Sequence, residues 1–123
     1  MSFKFGRLST ARLKTCNLQL QDLFNTVIQY RDCSVLCGHR TEEKQNLAYP
    51  THSNVQWPNS MHNSMPSQAV DVVPYPIDWE DIPRFHEFAG FVMGIAIPMG
   101  ISIKWGGHFK SFFDGPHYEI IHK

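Results

Sequence analysis

The sequence predicts an α+β fold in which helices pack on a small central antiparallel sheet. Residues 18–30 repeat apolar side chains at three- and four-residue spacings, which is typical of an amphipathic helix. β-branched residues cluster at 69–73 and alternate with polar ones at 101–105, and both patterns predict strands. The helices come early and the short strands cluster late, an order that favours α+β. With 123 residues the chain has the length of one domain, which we expect to span 1–123.

The elements between these segments follow from local signals. Ser34-Val-Leu-Cys37 predicts a short strand that Gly38 ends. Thr41 is the expected N-cap of a second helix, which Pro50 stops. Residues 50–68 are rich in Pro, Ser, Asn and His, a composition that predicts a long irregular loop. Long loops in compact domains are commonly functional.

The second half of the chain predicts one long helix and the last strands of the sheet. Asp78 is the expected N-cap of a helix that runs from about Trp79 into the mid-nineties. Strands are predicted at 69–73, 101–105 and 117–121. Gly106-Gly107 is expected to turn the chain after the second of these strands.

Charge and hydropathy exclude several classes of protein. Lys plus Arg and Asp plus Glu both number 11, so no basic surface for nucleic acid is expected. Residues 1–7 lack the apolar core of a signal peptide. The longest apolar stretch, 85–103, is interrupted by charged, glycine and proline residues and does not predict a membrane span.

The three cysteines do not predict a disulfide framework. Cys16, Cys33 and Cys37 are an odd number without regular spacing, and the last two are too far apart for a CxxC redox motif. We interpret them as buried thiols in a chain made in a reducing cytosol.

Three polar residues with β-prone neighbours suggest a metal centre. His62, Asp71 and His117 offer two imidazoles and one carboxylate, which fill three corners of a zinc tetrahedron and leave the fourth open for water. An open position is typical of catalytic zinc, so the set predicts a metallohydrolase. The alternatives are a surface-loop histidine at 62 and a carboxylate at 71 that bonds to a nearby loop.

Three further residues can complete such a site. Asp114 lies three residues before His117 and is a candidate general base, although Asp-Gly is also common turn chemistry. Glu119 lies on the same face of the predicted strand as His117 and can orient a ligand, or it can simply face solvent. Arg40 can polarise a scissile carbonyl, but an arginine in a loop carries no such information by itself.

Taken together, these motifs resemble the zinc peptidases of the D-alanyl-D-alanine carboxypeptidase and L-alanyl-D-glutamate endopeptidase group. The resemblance rests on 38–45, on Ser60-Met-His62 followed by Ala69-Val-Asp71, and on Trp105-Gly-Gly107 followed by Asp114-Gly-Pro-His-Tyr-Glu119. The nearest likeness is to the single-domain phage endolysins of that group. The 62–71 loop is longer than the family's usual spacing.

The resemblance implies one zinc ion per chain, held by His62, Asp71 and His117. It implies Asp114 as the catalytic base, Arg40 as the substrate-polarising arginine, and Ser60 and Trp105 as substrate-binding residues. The implied protein is a monomer that cuts the peptidoglycan stem peptide at the L-alanyl-D-glutamate bond. It would wait in the host cytoplasm until it is released to the cell wall.

Three alternatives stay open. A D-alanyl-D-alanine carboxypeptidase of the same group would carry the same ligands. A zinc-stabilised cell-wall binding module would keep the fold without the chemistry, but it would have no need for Asp114. A nuclease suggested by His62-Asn63 lacks the basic cluster that phosphate binding requires.

Overall fold

A computed structural model of the protein describes residues 3–110 and 112–122. The helices are α1 (Arg7–Leu13), α2 (Leu18–Val27), α3 (Glu42–Ala48) and α4 (Ile82–Ala96). The strands are β1 (Cys33–Cys37), β2 (Ala69–Pro74), β3 (Ile103–Trp105) and β4 (His117–Ile120), and a 3₁₀ helix covers Gly106–His108. The predicted α+β fold is confirmed. The elements follow one another in the predicted order, with one addition, α1, which was not predicted.

The four strands form one antiparallel sheet in the order β1-β2-β4-β3. In β2 the side chains of Val70 and Val72 point to one face and that of Asp71 to the other, as the two-residue period of a strand requires. Both valines are fully buried. The core that they join contains Leu20, Leu23 and Phe24 of α2 and Phe88 and Val92 of α4.

Helix α1 covers the edge strand β1. The hydroxyl of Ser9 accepts a hydrogen bond from the Val35 backbone N–H at 3.0 Å, and Arg12 donates to the Val35 carbonyl at 3.1 Å. These contacts satisfy backbone groups that an open sheet edge would otherwise expose. The edge next to the candidate site is therefore closed by the chain itself.

The helix ends agree with prediction at α3 and differ at α4. Thr41 accepts from the Lys44 backbone N–H, so the predicted cap is confirmed. The N-cap of α4 is Asp81, whose side chain accepts from Arg84, and the predicted start at Asp78 and Trp79 is wrong. Asp78 instead accepts from the Glu80 backbone N–H in the preceding turn. The described part of the chain contains no helix with the length and apolar character that a membrane crossing requires.

Candidate functional site

The sheet register brings three potential metal-binding side chains into one row. Asp71 on β2 pairs with His117 on β4 on one side and with Cys37 on β1 on the other. Directly opposed residues of antiparallel strands present their side chains on the same face. A register irregularity between Val35 and Cys37 sets the position of the thiol. Asp71 and His117 are therefore neighbours because of backbone pairing alone.

His62 reaches the same place from the 50–68 loop. Its Nδ1 lies 2.7 Å from the Gly38 carbonyl, and its own carbonyl accepts from the Arg40 backbone N–H at 2.7 Å. The Ser60 hydroxyl accepts from the His62 backbone N–H at 3.2 Å. These bonds hold a buried imidazole over the sheet although it belongs to no helix or strand.

The network behind His62 is centred on Gln45, which is fully buried. The Gln45 carbonyl oxygen accepts from Arg40 at 3.0 Å and from Asn63 at 3.1 Å. Its amide nitrogen donates to the Ser53 hydroxyl at 2.9 Å and to the Val55 carbonyl at 2.8 Å. One side chain thus links α3 to both parts of the loop that carries His62.

Three donor atoms of the predicted ligand set converge. Asp71 Oδ1 lies 3.3 Å from His62 Nε2 and 3.4 Å from His117 Nδ1, and the two ring nitrogens are 3.3 Å apart. Ligands at the usual zinc bond lengths of about 2.0–2.2 Å, arranged tetrahedrally, have donor atoms about 3.4 Å apart. The three spacings fit one small tetrahedral cation.

Hydrogen bonds leave the inward nitrogen of each histidine available for a metal. His62 Nδ1 donates to the Gly38 carbonyl, so in the neutral imidazole that binds a metal the lone pair is on Nε2. His117 Nε2 bonds to Glu119 Oε1 at 2.7 Å, so Nδ1 faces the cluster. A carboxylate behind a metal-binding histidine fixes its tautomer and orientation.

The electrostatics of the cluster favour a cation between these atoms. Burial lowers the pKa of His62, but the Asp71 carboxylate and, to a lesser degree, Cys37 together outweigh burial and raise it to about 10. Burial raises the pKa of Asp71, but His62 and His117 lower it by a larger amount. The net pKa of Asp71 is therefore well below the usual range. Among the described residues, buried Asp71 Oδ1 has no hydrogen-bond partner. This negatively charged oxygen needs a positive partner, which can be a proton or a metal ion.

Cys37 adds a fourth potential donor that the sequence interpretation did not include. A donor atom from each of Cys37, His62 and Asp71 lies within 4.8 Å of the other two. The thiol is free and partly buried. Burial raises its pKa, but the neighbouring His62 outweighs burial, and the net pKa is lowered. Two overlapping sets of three ligands therefore share His62 and Asp71.

Asp114 and Arg40, which are far apart in sequence, both lie next to the cluster. Asp114 Oδ2 is 4.0 Å from His117 Nδ1, and its loop is held by a bond from the Asp114 backbone N–H to the Gly106 carbonyl. Burial, reinforced by the charge of Asp71, raises the pKa of Asp114. Arg40 Nη2 is 3.7 Å from Asp71 Oδ2.

The cluster forms part of an open cleft of about 920 Å³. The cleft is lined by the predicted site residues Arg40, Ser60, His62, Asp71, Asp114 and His117. Trp105, predicted to bind substrate, does not line the cleft itself, but its ring packs against His108 and Phe113, which do. Only 2% of its surface is exposed, and its Nε1 donates to the Gly115 carbonyl at 2.7 Å, so it supports the turn that carries Asp114 and His117.

A cleft with convergent imidazoles, a carboxylate outside the ligand set and an arginine defines the site of a hydrolase. The sequence model of the phage L-alanyl-D-glutamate peptidase family matches residues 1–121. This protein therefore belongs to the phage L-alanyl-D-glutamate peptidase family.

Two relatives agree with this membership. The L-alanyl-D-glutamate peptidase of Escherichia phage T5 is 30% identical over an alignment of 139 positions, gaps included, that covers 98% of this chain and all of that protein. The crystal structure of the Serratia marcescens L-Ala D-Glu endopeptidase ChiX superposes with a TM-score of 0.80 at 27% identity, over 96% of this chain and 90% of that one. The predicted family and the predicted class of enzyme, a peptidase, are confirmed.

Proposed function

We propose that this protein is a zinc-dependent endopeptidase that hydrolyses the bond between L-alanine and D-glutamate in the stem peptide of peptidoglycan. The observation that supports this most directly is the spacing of 3.3–3.4 Å among the donor atoms of His62, Asp71 and His117. The names of the family and of both relatives supply the bond.

We assign the metal to His62, Asp71 and His117 rather than to the set that includes Cys37. All three spacings in the first set suit a tetrahedral ion, whereas the second is known only to lie within 4.8 Å. Two imidazoles and a carboxylate are a donor set that suits zinc and leave a coordination position open. Zinc supplies Lewis acidity and makes a water molecule acidic near neutral pH.

Asp114 is the proposed general base. It lies beside the cluster, with Oδ2 4.0 Å from His117 Nδ1. The proposed ligand atom, Asp71 Oδ1, is closer to the same nitrogen, at 3.4 Å. A carboxylate whose pKa is raised by burial takes up a proton more readily than an exposed one. Asp114 would accept the proton of the attacking water and pass it to the departing amine.

Arg40 and Ser60 are the proposed substrate contacts at the opposite wall. Bonds from Arg40 to Gln45 and the nearby Asp71 carboxylate hold its guanidinium at the cleft. A fixed cation there stabilises the negative charge that develops on the scissile carbonyl oxygen. The Ser60 hydroxyl lines the cleft beside His62 and can bond to the peptide backbone of the substrate.

Digestion of purified peptidoglycan tests this proposal. The protein is incubated with sacculi, with and without a chelator, and new termini are identified by mass spectrometry. We expect new N-terminal D-glutamate that disappears with the chelator and returns when zinc is added. Release of free D-alanine without new glutamate termini would instead identify a carboxypeptidase, and a digest without new termini would contradict any peptidase role on this substrate.

A further inference from the structure

Lys104 is the cationic side chain that the sheet itself presents to the cleft. It is the middle residue of β3, where Ile103 and Trp105 are buried on the other face. Its Cα pairs with that of Glu119 on β4, two residues beyond His117. Backbone pairing therefore places Lys104 on the face of the sheet that carries the ligand cluster, and Lys104 lines the cleft.

An aromatic side chain holds the ammonium group near His117. Lys104 Nζ lies 5.2 Å from the centre of the Phe109 ring, a cation–π distance. The Phe109 ring is in turn 5.3 Å from the imidazole of His117. One ring thus separates the lysine from the candidate metal ligand.

Lys104 makes no close ion pair among the described residues. None of their carboxylates forms an ion pair with it within 4.0 Å. Glu119, opposite Lys104 in the sheet, bonds to His117 at 2.7 Å. This hydrogen bond is the main cause that lowers the pKa of Glu119, and the charge of Lys104 contributes less. Arg40 is held by Asp71 and Gln45 at the position proposed for the scissile carbonyl, and Lys110 lies in an irregular segment outside the sheet. Lys104 is therefore a cation on a strand that can still bind an anion of the substrate.

The proposed substrate has such an anion next to the bond that is cut. Glutamate has two carboxyl groups, and only one can join the next residue of a linear peptide. The other is ionised at neutral pH because its pKa is near 4. A peptidase that cuts before D-glutamate therefore meets a negative charge on the residue that supplies the leaving amine.

We infer that Lys104 binds this free carboxylate and makes the cleft selective for glutamate on the leaving-group side. The inference rests on the proposed function and adds a residue that selects the substrate. A lysine suits the task because its compact ammonium group offers three donors that rotate to meet a carboxylate.

Two synthetic peptides separate charge recognition from general substrate binding. Both carry N-acylated L-alanine followed by a D-glutamyl residue and end in an amide. They differ only in whether the free carboxyl is left as a carboxylate or converted to a carboxamide. We expect kcat/KM of the zinc-loaded protein to be about tenfold higher for the carboxylate peptide, a typical value for one hydrogen bond to a charged group.

Lys104→Met should cleave both peptides at similar rates, and Lys104→Glu should prefer the carboxamide. Lys14→Met is the control, because this exposed lysine carries the same charge but does not line the cleft. Thermal unfolding of each variant verifies the fold.

A tenfold preference that survives in Lys104→Met, or that is lost in Lys110→Met instead, would overturn the inference. Equal cleavage of the two peptides by the parent protein would also overturn it, while the cleavage itself would uphold the proposed function. If the zinc-loaded parent cleaves neither peptide, the proposed function fails and this inference fails with it.

Discussion

The candidate ligands come from two regions that are built differently. Asp71 and His117 lie on adjacent strands, and the register of β2 and β4 makes them neighbours. His62 lies in the irregular 50–68 loop, where hydrogen bonds to Gly38, Arg40 and Ser60 hold it. The difference shows that the sheet supplies a preformed pair of ligands, whereas the third ligand depends on a polar network that specific side chains must complete.

Removing the loop's ligand should have the largest effect. We expect His62→Ala to lose most bound zinc and essentially all activity, because two sheet ligands alone leave the ion poorly held. The metal-free variant should fold but unfold at a lower temperature than the metal-free parent, because the buried Asp71 carboxylate and the Gly38 carbonyl each lose a partner. Zinc per chain, measured by elemental analysis, checks this.

The control is His52→Ala, which removes an exposed histidine from the same loop and cleft. It should keep both zinc and activity. Full zinc occupancy in His62→Ala would disprove the ligand assignment and direct attention to the set that contains Cys37.

The next largest effect should come from the loop that leads into β4. Asp114→Asn keeps the size and polarity of the side chain but removes the proton acceptor, so kcat should fall about a hundred- to ten-thousand-fold. Zinc content should stay at the parental value because Asp114 is not a proposed ligand. Hydrolysis of cell-wall peptides at the parental rate would show that Asp114 is not the general base and only forms the turn before β4.

A smaller effect is expected from Gln45→Met, which leaves His62 in place but removes the centre of its network. Asn63, Ser53 and the Val55 carbonyl each lose a buried partner, and one such loss costs about 1–3 kcal/mol. Activity or zinc affinity should fall about ten- to a hundredfold, as for other groups that support metal ligands.

Denaturant unfolding and zinc titration measure the two effects of Gln45→Met. Gln19→Met, on the exposed side of α2, should leave both unchanged. If Gln45→Met binds zinc like the parent, the loop holds His62 without the network.

The smallest effects contrast two glycines. A Cβ at Gly106 would meet the Asp114 carbonyl and the Cβ of His117, so Gly106→Ala should lower the free energy of unfolding by about 1–3 kcal/mol. A Cβ at Gly90 in α4 meets nothing within 4 Å, so Gly90→Ala should raise it by about 0.5–1 kcal/mol. Equal responses in denaturant unfolding would contradict the close packing beside the sheet ligands.

The prediction from sequence succeeded where side-chain period and strand pairing agree. A run of β-branched residues around Asp71 identified β2, and the Thr41 cap identified the start of α3. Helix α1 carried no comparable signal, because only Leu13 is buried and the Gly6 N-cap offers no side chain. Two aspartates compete near the start of α4, and Asp81 prevails because Pro83 can occupy the first turn, where its missing N–H costs nothing.

The parts of the site that depend on long-range contacts were not predictable. Gln45 lies in a run of polar residues that is typical of an exposed helix face, yet its partners in the 50–68 loop bury it completely. Cys37 stands opposite Asp71 only because the register shifts within β1. Neither the burial of Gln45 nor the position of Cys37 produces a recognisable pattern in the neighbouring sequence.

The register irregularity in β1 has an evolutionary consequence. A strand that gains or loses one residue turns every later side chain to the other face, so an insertion in β2 or β4 would carry Asp71 or His117 away from the cleft. The extra residue in β1 is absorbed locally and leaves the pairs Cys33–Pro74 to Val35–Val72 in step. Changes in chain length among descendants of this protein should therefore accumulate in β1 and in the 50–68 loop, while the spacing within β2 and β4 stays constant.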